Sequence, residues 1–224
     1  MIRGKGKVVA YKMISVDNIT FKYPLVTAPV LSGFSARFEL GEIVALTGKN
    51  GSGKTTLTKL LVGILRPLSG SILIDDLCIS GMDLFEIGRR VGYVFQNPNR
   101  QLFCDTVYNE VAYGLRNLGL NETKVSQKVD YYLEYFDLRR YHKTYPGKLS
   151  LGEKQRLALA AVLALGTNYL ILDEPTTGLD GRRMKEFGDM MIKLRQEFDC
   201  GIVFVSHETD FIASYADREL VIAR

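Results

Sequence analysis

Residues 48–55 read Gly-Lys-Asn-Gly-Ser-Gly-Lys-Thr and match the pattern GxxxxGK(S/T). A short apolar run, Ile43–Thr47, precedes this stretch, and a helical pattern follows it from residue 54 to about residue 65. Glycines allow backbone N–H groups to turn inward around phosphate oxygens, and the N-terminus of the following helix adds a partial positive charge there. The stretch therefore predicts a strand, a phosphate-binding loop and a helix. The residues predicted to contact a nucleotide are Gly48, Lys49, Asn50, Gly51, Ser52, Gly53, Lys54, Thr55 and Thr56.

Two side chains of this loop have distinct predicted roles. The Lys54 ammonium group can reach the β- and γ-phosphates of the nucleotide, and the Thr55 hydroxyl can ligate Mg²⁺. A chance glycine-rich turn would explain the same letters. The strand pattern before the loop and the helix pattern after it favour the functional interpretation.

Carboxylates and a histidine follow two other apolar runs. Tyr169–Leu172 is followed by Asp173 and Glu174, and the run at residues 202–206 is followed by His207. At the carboxyl end of a parallel strand, such side chains face the crevice where ligands bind. Asp173 is the predicted Mg²⁺ partner, and Glu174 is the predicted general base for the attacking water. For Asp173 and Glu174 the alternative is a solvated turn, and the phosphate loop is what favours the functional roles. His207 is predicted to contact the γ-phosphate and orient the water, and its alternative is a helix-capping or surface histidine.

Strand and helix patterns alternate along most of the chain. Residues 97–160 differ, because they are polar, rich in tyrosine and helical in pattern, and they predict an inserted helical subdomain. Strands that alternate with helices predict an α/β fold with a largely parallel sheet covered on both faces. We expect one domain at residues 13–224, preceded by a short segment at residues 1–12. The further strand candidates are residues 13–23, 30–38, 71–74 and 91–95, and further helices are expected at 123–136 and 182–198.

Composition excludes several other classes of protein. The net charge of the 224 residues is only +4, so no strongly basic face indicates nucleic acid as a partner. Three widely spaced cysteines, with no CxxC pair, indicate reduced thiols rather than a zinc site. The basic N-terminus lacks the apolar stretch of a secretory signal. The longest uncharged run, residues 157–172, is broken by Gly166-Thr167-Asn168, so we expect no membrane span and a membrane role only through another protein.

One further stretch indicates a particular family. Residues 149–156 read Leu-Ser-Leu-Gly-Glu-Lys-Gln-Arg and resemble the LSGGQ signature of ABC transporter ATP-binding subunits. Leu151 stands where the first glycine of the pair is usual, and Glu153 stands where the glutamine is usual. The remaining motifs occur in the family's order, so the chain resembles this family from about residue 14 to about residue 217. These motifs are the aromatic Tyr23, the Q-loop glutamine Gln96, the D-loop Gly178-Leu-Asp180 and the switch histidine His207.

The resemblance implies an ABC-ATPase form of the P-loop NTPase fold, with an antiparallel β part near the N-terminus. It implies that Tyr23 stacks on the adenine of ATP and that Gln96 touches Mg²⁺ and senses a membrane partner. It also implies a second ATPase subunit packed head to tail. In such a pair Ser150, Gly152 and Asp180 of one chain would close over the nucleotide of the other, so no chain completes a site alone.

Residues 96–103, Gln-Asn-Pro-Asn-Arg-Gln-Leu-Phe, resemble a narrower group, the energy-coupling-factor (ECF) importers of vitamins and transition-metal ions. Asn97 and Gln101 belong to that pattern, although Asn-Pro alone would also suit a turn. The resemblance implies a transmembrane coupling protein, a separate substrate-capturing membrane protein and a place at the cytoplasmic face of the membrane. ECF subunits usually carry a further C-terminal segment that this chain, ending at Arg224, does not show.

Three alternatives remain open from the sequence. The chain could serve another class of ABC transporter, act as a soluble ABC ATPase, or bind nucleotide as the inactive half of a heterodimer. Residues 96–103 argue against another class of transporter. The presence of one short ATP-binding domain argues against a soluble ABC ATPase. Glu174 and His207 argue against the inactive half of a heterodimer. No residue indicates which substrate is transported or whether the dimer has two identical chains.

Overall fold

The structure, a computed structural model, describes residues 12–223. The short segment expected at residues 1–12 therefore lies, except for Lys12, outside the described residues. The strands are β1 (Met13–Phe21), β2 (Leu31–Glu39), β3 (Ile43–Thr47), β4 (Ser69–Ile74), β5 (Leu77–Cys78), β6 (Val91–Val94), β7 (Tyr169–Leu172), β8 (Gly201–Val205) and β9 (Arg218–Val221). The α-helices are α1 (Lys54–Leu61), α2 (Leu84–Gly88), α3 (Val107–Asn117), α4 (Glu122–Tyr135), α5 (Leu151–Leu163), α6 (Gly181–Phe198) and α7 (Thr209–Tyr215).

Within residues 12–223 the strands form two sheets. The antiparallel sheet has the order β2-β1-β4-β5, and the parallel sheet has the order β6-β7-β8-β3-β9. Every residue of β3, β7 and β8 is buried, as expected of parallel strands covered on both faces. These sheets confirm the predicted α/β fold with a parallel core and an antiparallel N-terminal part. The carboxyl ends of β3, β6, β7 and β8 consequently lie at one edge of the parallel sheet.

The antiparallel sheet buries one face because its hydrophobic residues alternate. Ile14 and Val16 of β1 are buried, and after a register shift Ile19 and Phe21 are buried as well. Asn18, inside the shift, has a positive φ of 49°. These side chains share one hydrophobic cluster with Leu57 of α1, so the antiparallel sheet packs against the helix that follows the phosphate loop.

Three longer helices lie between β6 and β7 along the chain. Side-chain oxygens of Thr106, Asn121 and Ser150 accept hydrogen bonds at the N-termini of α3, α4 and α5. Val111 of α3 and Leu133 of α4 are fully buried and share a hydrophobic cluster with the parallel sheet. These helices are therefore packed onto the same core as the sheet. Among residues 12–223, no helix combines the length and the apolar character needed to cross a membrane.

The helix after the phosphate loop ends earlier than the sequence suggested. It stops at Leu61 rather than near residue 65, because Gly63 has a φ of 72° and its N–H group bonds to the carbonyl of Leu60. A left-handed glycine is a common helix terminator. Pro67 lies in the connection to β4 and Gly70 lies within β4, so neither residue ends the helix.

Candidate nucleotide site

The predicted phosphate loop connects β3 to α1 and is held by contacts of its own. The Lys54 ammonium group donates to the carbonyl of Gly48 at 2.8 Å and to that of Lys49 at 3.1 Å. An ammonium group has three donors, so one remains for a phosphate oxygen. The hydroxyl of Ser52 is buried and has no hydrogen-bond partner among the described residues. Both groups are available to a ligand inside the loop.

An open cleft of about 480 Å³ lies over the loop. The Tyr23 hydroxyl approaches the Thr56 hydroxyl at 3.2 Å, and the Tyr23 ring packs edge-on against Phe21 at 4.9 Å. The structure thus brings Tyr23, which is 31 residues earlier in sequence than Lys54, to the wall of the cleft. The lining residues are Tyr23, Val30, Asn50, Gly51, Gly53, Lys54, Thr55, Thr56 and Glu174.

Two of the three predicted Mg²⁺ ligands, Thr55 and Asp173, lie side by side. The Thr55 hydroxyl is 3.3 Å from Oδ1 of Asp173, and the Asp173 residue is only 8% exposed. Burial raises the pKa of Asp173, while hydrogen bonds from Tyr93 and Thr55 oppose that rise. Among the described residues no three His, Cys, Asp or Glu side chains cluster to hold a metal. A hydroxyl and one carboxylate, with phosphate oxygens, are nevertheless a suitable donor set for Mg²⁺, so the residues fit the ion.

Gln96 and His207, two of the predicted site residues, lie close to Glu174. Its Oε2 accepts hydrogen bonds from Gln96 at 2.7 Å and from the Thr177 hydroxyl at 3.2 Å. Nε2 of His207 is 3.8 Å from its Oε1, which is too long for a direct hydrogen bond. Glu174 also has a φ of 48°, a backbone conformation uncommon outside glycine. A carboxylate held in this way at the mouth of the cleft can accept a proton from a water molecule bound there.

The signature residues do not join this cleft. Ser150 and Gly152 line a separate depression of about 180 Å³. The Ser150 hydroxyl donates to Glu153 at 2.7 Å, and the same carboxylate accepts from the Ser150 N–H group at 2.8 Å. Asp180 accepts from the N–H group of Arg183 at 2.9 Å and caps α6. In one chain these three residues therefore serve as helix caps or as the lining of another depression.

Glu153 is strongly held as an anion. Hydrogen bonds from Tyr141 and from Ser150 lower the pKa of Glu153 to about 2, against the opposing effect of burial. Where the family pattern has a neutral glutamine, this chain therefore carries a full negative charge next to the signature serine.

Tyr93 was missed from the sequence, and Gln101 was named there only as part of the pattern at residues 96–103, without a place in the site. Tyr93 of β6 donates from its hydroxyl to Oδ2 of Asp173 at 2.8 Å. Gln101 accepts from the N–H group of Phe95 and donates to the carbonyl of Tyr93, both at 3.1 Å. Because β6 is an edge strand, no further strand pairs with its outer side. The Gln101 side-chain amide supplies the hydrogen-bond partners for main-chain groups on that side. A single hydroxyl in the otherwise apolar run at residues 91–95 was the signal for Tyr93.

Comparisons with known proteins agree with these features. A sequence profile described as ABC transporter matches residues 31–177. A putative ABC transporter ATP-binding protein of Pyrococcus furiosus is 43% identical over 211 residues, which are 94% of this chain and 80% of that protein. One of Pyrococcus horikoshii is 44% identical over 193 residues, 86% of this chain and 74% of that protein. A third relative, of Methanosarcina acetivorans, is longer, because the 181 matched residues at 44% identity cover 81% of this chain and only 29% of that protein.

Two solved structures have the same fold. CbiO1 of Clostridium perfringens, part of the ABC transporter complex CbiONQ, superposes with a TM-score of 0.87 at 33% identity and covers 95% of this chain and 85% of its own. A structure described as the ATP-binding subunit of an ABC transporter superposes with a TM-score of 0.79 at 24% identity, covering 94% of this chain and 85% of its own. The second likeness supports the fold alone.

Proposed function

We propose a transport role from one premise: the chain belongs to the ABC transporter family and is an ATP-binding, ATP-hydrolysing subunit of that family. The transporter that it energises is an importer of the ECF type, which takes up a vitamin or a transition-metal ion. Two observations support this type. They are the likeness to CbiO1, which is part of the CbiONQ complex, and the segment at residues 96–103.

The observation that carries the hydrolytic role is the contact of Glu174 with Gln96 at the cleft over the phosphate loop. In the proposed reaction, the loop N–H groups and the free donor of Lys54 hold the β- and γ-phosphates of ATP. Glu174 accepts a proton from the attacking water, and Gln96 fixes the orientation of that carboxylate. His207 contacts the γ-phosphate from the end of β8, and Tyr23 stacks on the adenine ring.

Thr55 and Asp173 are the proposed holders of Mg²⁺, with Gln96 as a third ligand. The amide nitrogen of Gln96 is engaged by Glu174, which leaves the amide oxygen as the atom that can ligate the ion. Bound there, Mg²⁺ would neutralise negative charge on the phosphate oxygens. The role of the protein groups is to hold their oxygens in place before the nucleotide arrives.

We further propose that two chains pack head to tail across ATP. Ser150, Gly152 and Asp180 lie outside the chain's own cleft, which supports a role toward the nucleotide of a second subunit. The N-terminus of α5 would bring backbone N–H donors to the γ-phosphate across that interface. Loss of the γ-phosphate on hydrolysis would remove the bridge and let the subunits separate.

The proposed membrane contact involves the helical subdomain, residues 97–160, within one ATP-binding domain at residues 13–224. Phe103 is 67% exposed and packs edge-on against the exposed Tyr113 at 4.9 Å. Phe95, beside Gln96, is also exposed. An exposed aromatic group next to the Q-loop suits the cytoplasmic helices of a transmembrane coupling protein. The chain would then sit at the cytoplasmic face of the membrane, together with a substrate-capturing membrane protein.

The experiment is purification of the tagged chain from membranes, followed by reconstitution in vesicles. We expect a coupling protein and a separate substrate-capturing protein to co-purify, and ATP to drive uptake of a vitamin or metal ion. Phe103→Asp should abolish co-purification and retain ATP binding. Leu68→Asp is the matched control, because Leu68 is 66% exposed and lies just before the antiparallel strand β4, outside the helical subdomain. A transporter without a separate substrate-capturing membrane protein would refute the ECF type and leave the ATPase assignment intact.

A further inference from the structure

We propose that Tyr93 is a positioning residue that orients the Asp173 carboxylate for the magnesium form of the nucleotide. Its hydroxyl is 2.8 Å from Oδ2 of Asp173, while the Thr55 hydroxyl faces Oδ1 at 3.3 Å. The two oxygens of the carboxylate therefore have different partners. Only the oxygen toward Thr55 faces the proposed ion, and the other is held from the neighbouring strand. This inference rests on the proposal that Thr55 and Asp173 hold Mg²⁺.

The number of hydrogens shows which way the Tyr93 hydroxyl points. It has two neighbours, Asp173 at 2.8 Å and the Thr58 hydroxyl at 3.4 Å, and it has one hydrogen to donate. An ionised carboxylate only accepts, so the bond to Asp173 requires the Tyr93 hydrogen. The Thr58 hydroxyl uses its own hydrogen toward the carbonyl of Thr55 at 2.9 Å. The Tyr93 hydrogen is thus committed to Asp173.

Tyr93 is itself fixed, so it can impose an orientation on its partner. Its backbone pairs in parallel register with Ile171 of β7, and its carbonyl accepts from Gln101 at 3.1 Å. Its ring packs edge-on against Phe95 at 5.0 Å. A hydroxyl at the end of a rigid ring on a paired strand cannot follow a carboxylate that turns away.

Removal of the Tyr93 hydroxyl would free the last side-chain torsion of Asp173, which the hydrogen bond from Tyr93 otherwise fixes. The last torsion of an aspartate is broad and roughly two-fold, so packing alone does not choose between its orientations. Asp173 would then sample orientations in which neither oxygen faces Thr55 correctly. We therefore expect a selective weakening of the magnesium form, while binding of the nucleotide itself through the loop and Lys54 is retained.

Tyr93→Phe tests the inference, and Tyr169→Phe is its matched control. The Tyr169 hydroxyl donates to Asp75 at 2.9 Å from the adjacent strand β7, so the control loses a tyrosine–aspartate bond of nearly equal length outside the cleft. Binding of a fluorescent ATP analogue is measured in EDTA and across a Mg²⁺ titration. Binding of Mn²⁺ in the presence of nucleotide is followed by electron paramagnetic resonance.

Residues that orient a metal ligand are typically worth about 10–100-fold in metal affinity, and we expect about a 10-fold weaker metal affinity in Tyr93→Phe. Its affinity for the analogue in EDTA should match that of the wild type, and Tyr169→Phe should match the wild type in every measurement. An equal loss of affinity in EDTA would assign Tyr93 a purely structural role and overturn the inference. A metal affinity equal to that of the wild type would also overturn it. If binding to the wild type did not respond to Mg²⁺ or Mn²⁺ at all, the magnesium proposal itself would fail.

Discussion

Gly48 is the position where a single methyl group should damage the phosphate loop most. Its φ is 136°, and a Cβ atom built there would lie 2.4 Å from the backbone carbonyl oxygen of Ile222 and 2.8 Å from the hydroxyl of Ser52. A backbone carbonyl cannot rotate away as a side chain can. Relief of this clash therefore requires movement of the loop or of the chain after β9. Gly51 in the same loop offers the matched control, because its φ is 77° and a Cβ there would meet nothing within 4 Å.

The expected cost of Gly48→Ala has two parts. A strained backbone conformation costs about 1–3 kcal/mol, and overpacking costs about 1–3 kcal/mol. A central value of about 4 kcal/mol would lower the Tm by roughly 8–16 °C for a chain of this size. Gly51→Ala should cost only the strain of a left-handed backbone conformation, about 1–2 kcal/mol. The lower conformational entropy of the unfolded chain offsets part of that cost.

Thermal unfolding of both variants and the wild type, without nucleotide, measures the difference. The chain contains no tryptophan, so circular dichroism of the helices is the suitable signal. We expect Gly48→Ala to unfold well below Gly51→Ala and to bind ATP more weakly, because the loop must shift to admit the methyl group. Equal unfolding temperatures in the two variants would refute the steric reasoning.

Three other changes test the site. Lys54→Ala removes charge-assisted bonds worth about 1.5–3 kcal/mol each, so ATP should bind about 10–100-fold more weakly by equilibrium titration; unchanged affinity would contradict the phosphate-loop assignment. Glu174→Gln keeps an oxygen that can accept from Gln96, so the variant should bind ATP but turn over about 10²–10⁴-fold more slowly, and near-normal turnover in a phosphate-release assay would exclude Glu174 as the base. In that background, Ser150→Arg should prevent an ATP-dependent dimer in size-exclusion chromatography without loss of nucleotide binding. A dimer that persists would argue against the head-to-tail arrangement.

The sequence predicted the elements whose signal is local. β3 and β7 were located correctly because both faces of each strand are buried, so each appears as a continuous apolar run. Short elements were not found. The helices α2 and α7 contain five and seven residues, which is too few for a helical period to show in the sequence.

For the site, the sequence identified residue types and the structure supplied distances. Gln96, Glu174 and His207 were each singled out individually, and their contacts around one carboxylate are visible only in the folded chain. The bond between Tyr93 and Asp173 has no sequence pattern at all, because it joins positions 80 residues apart on neighbouring strands.

The phosphate loop was recognisable without a structure because all of its groups come from one contiguous turn, whose glycines shape the backbone locally. The rest of the site depends on the order β6-β7-β8-β3, which brings the carboxyl ends of four separate strands to one edge of a sheet. That order results from long-range packing of strands against shared helices. The sequence could therefore name the chemical groups, whereas only the tertiary structure could bring Tyr93, Asp173, Glu174 and His207 beside Lys54 and Thr55.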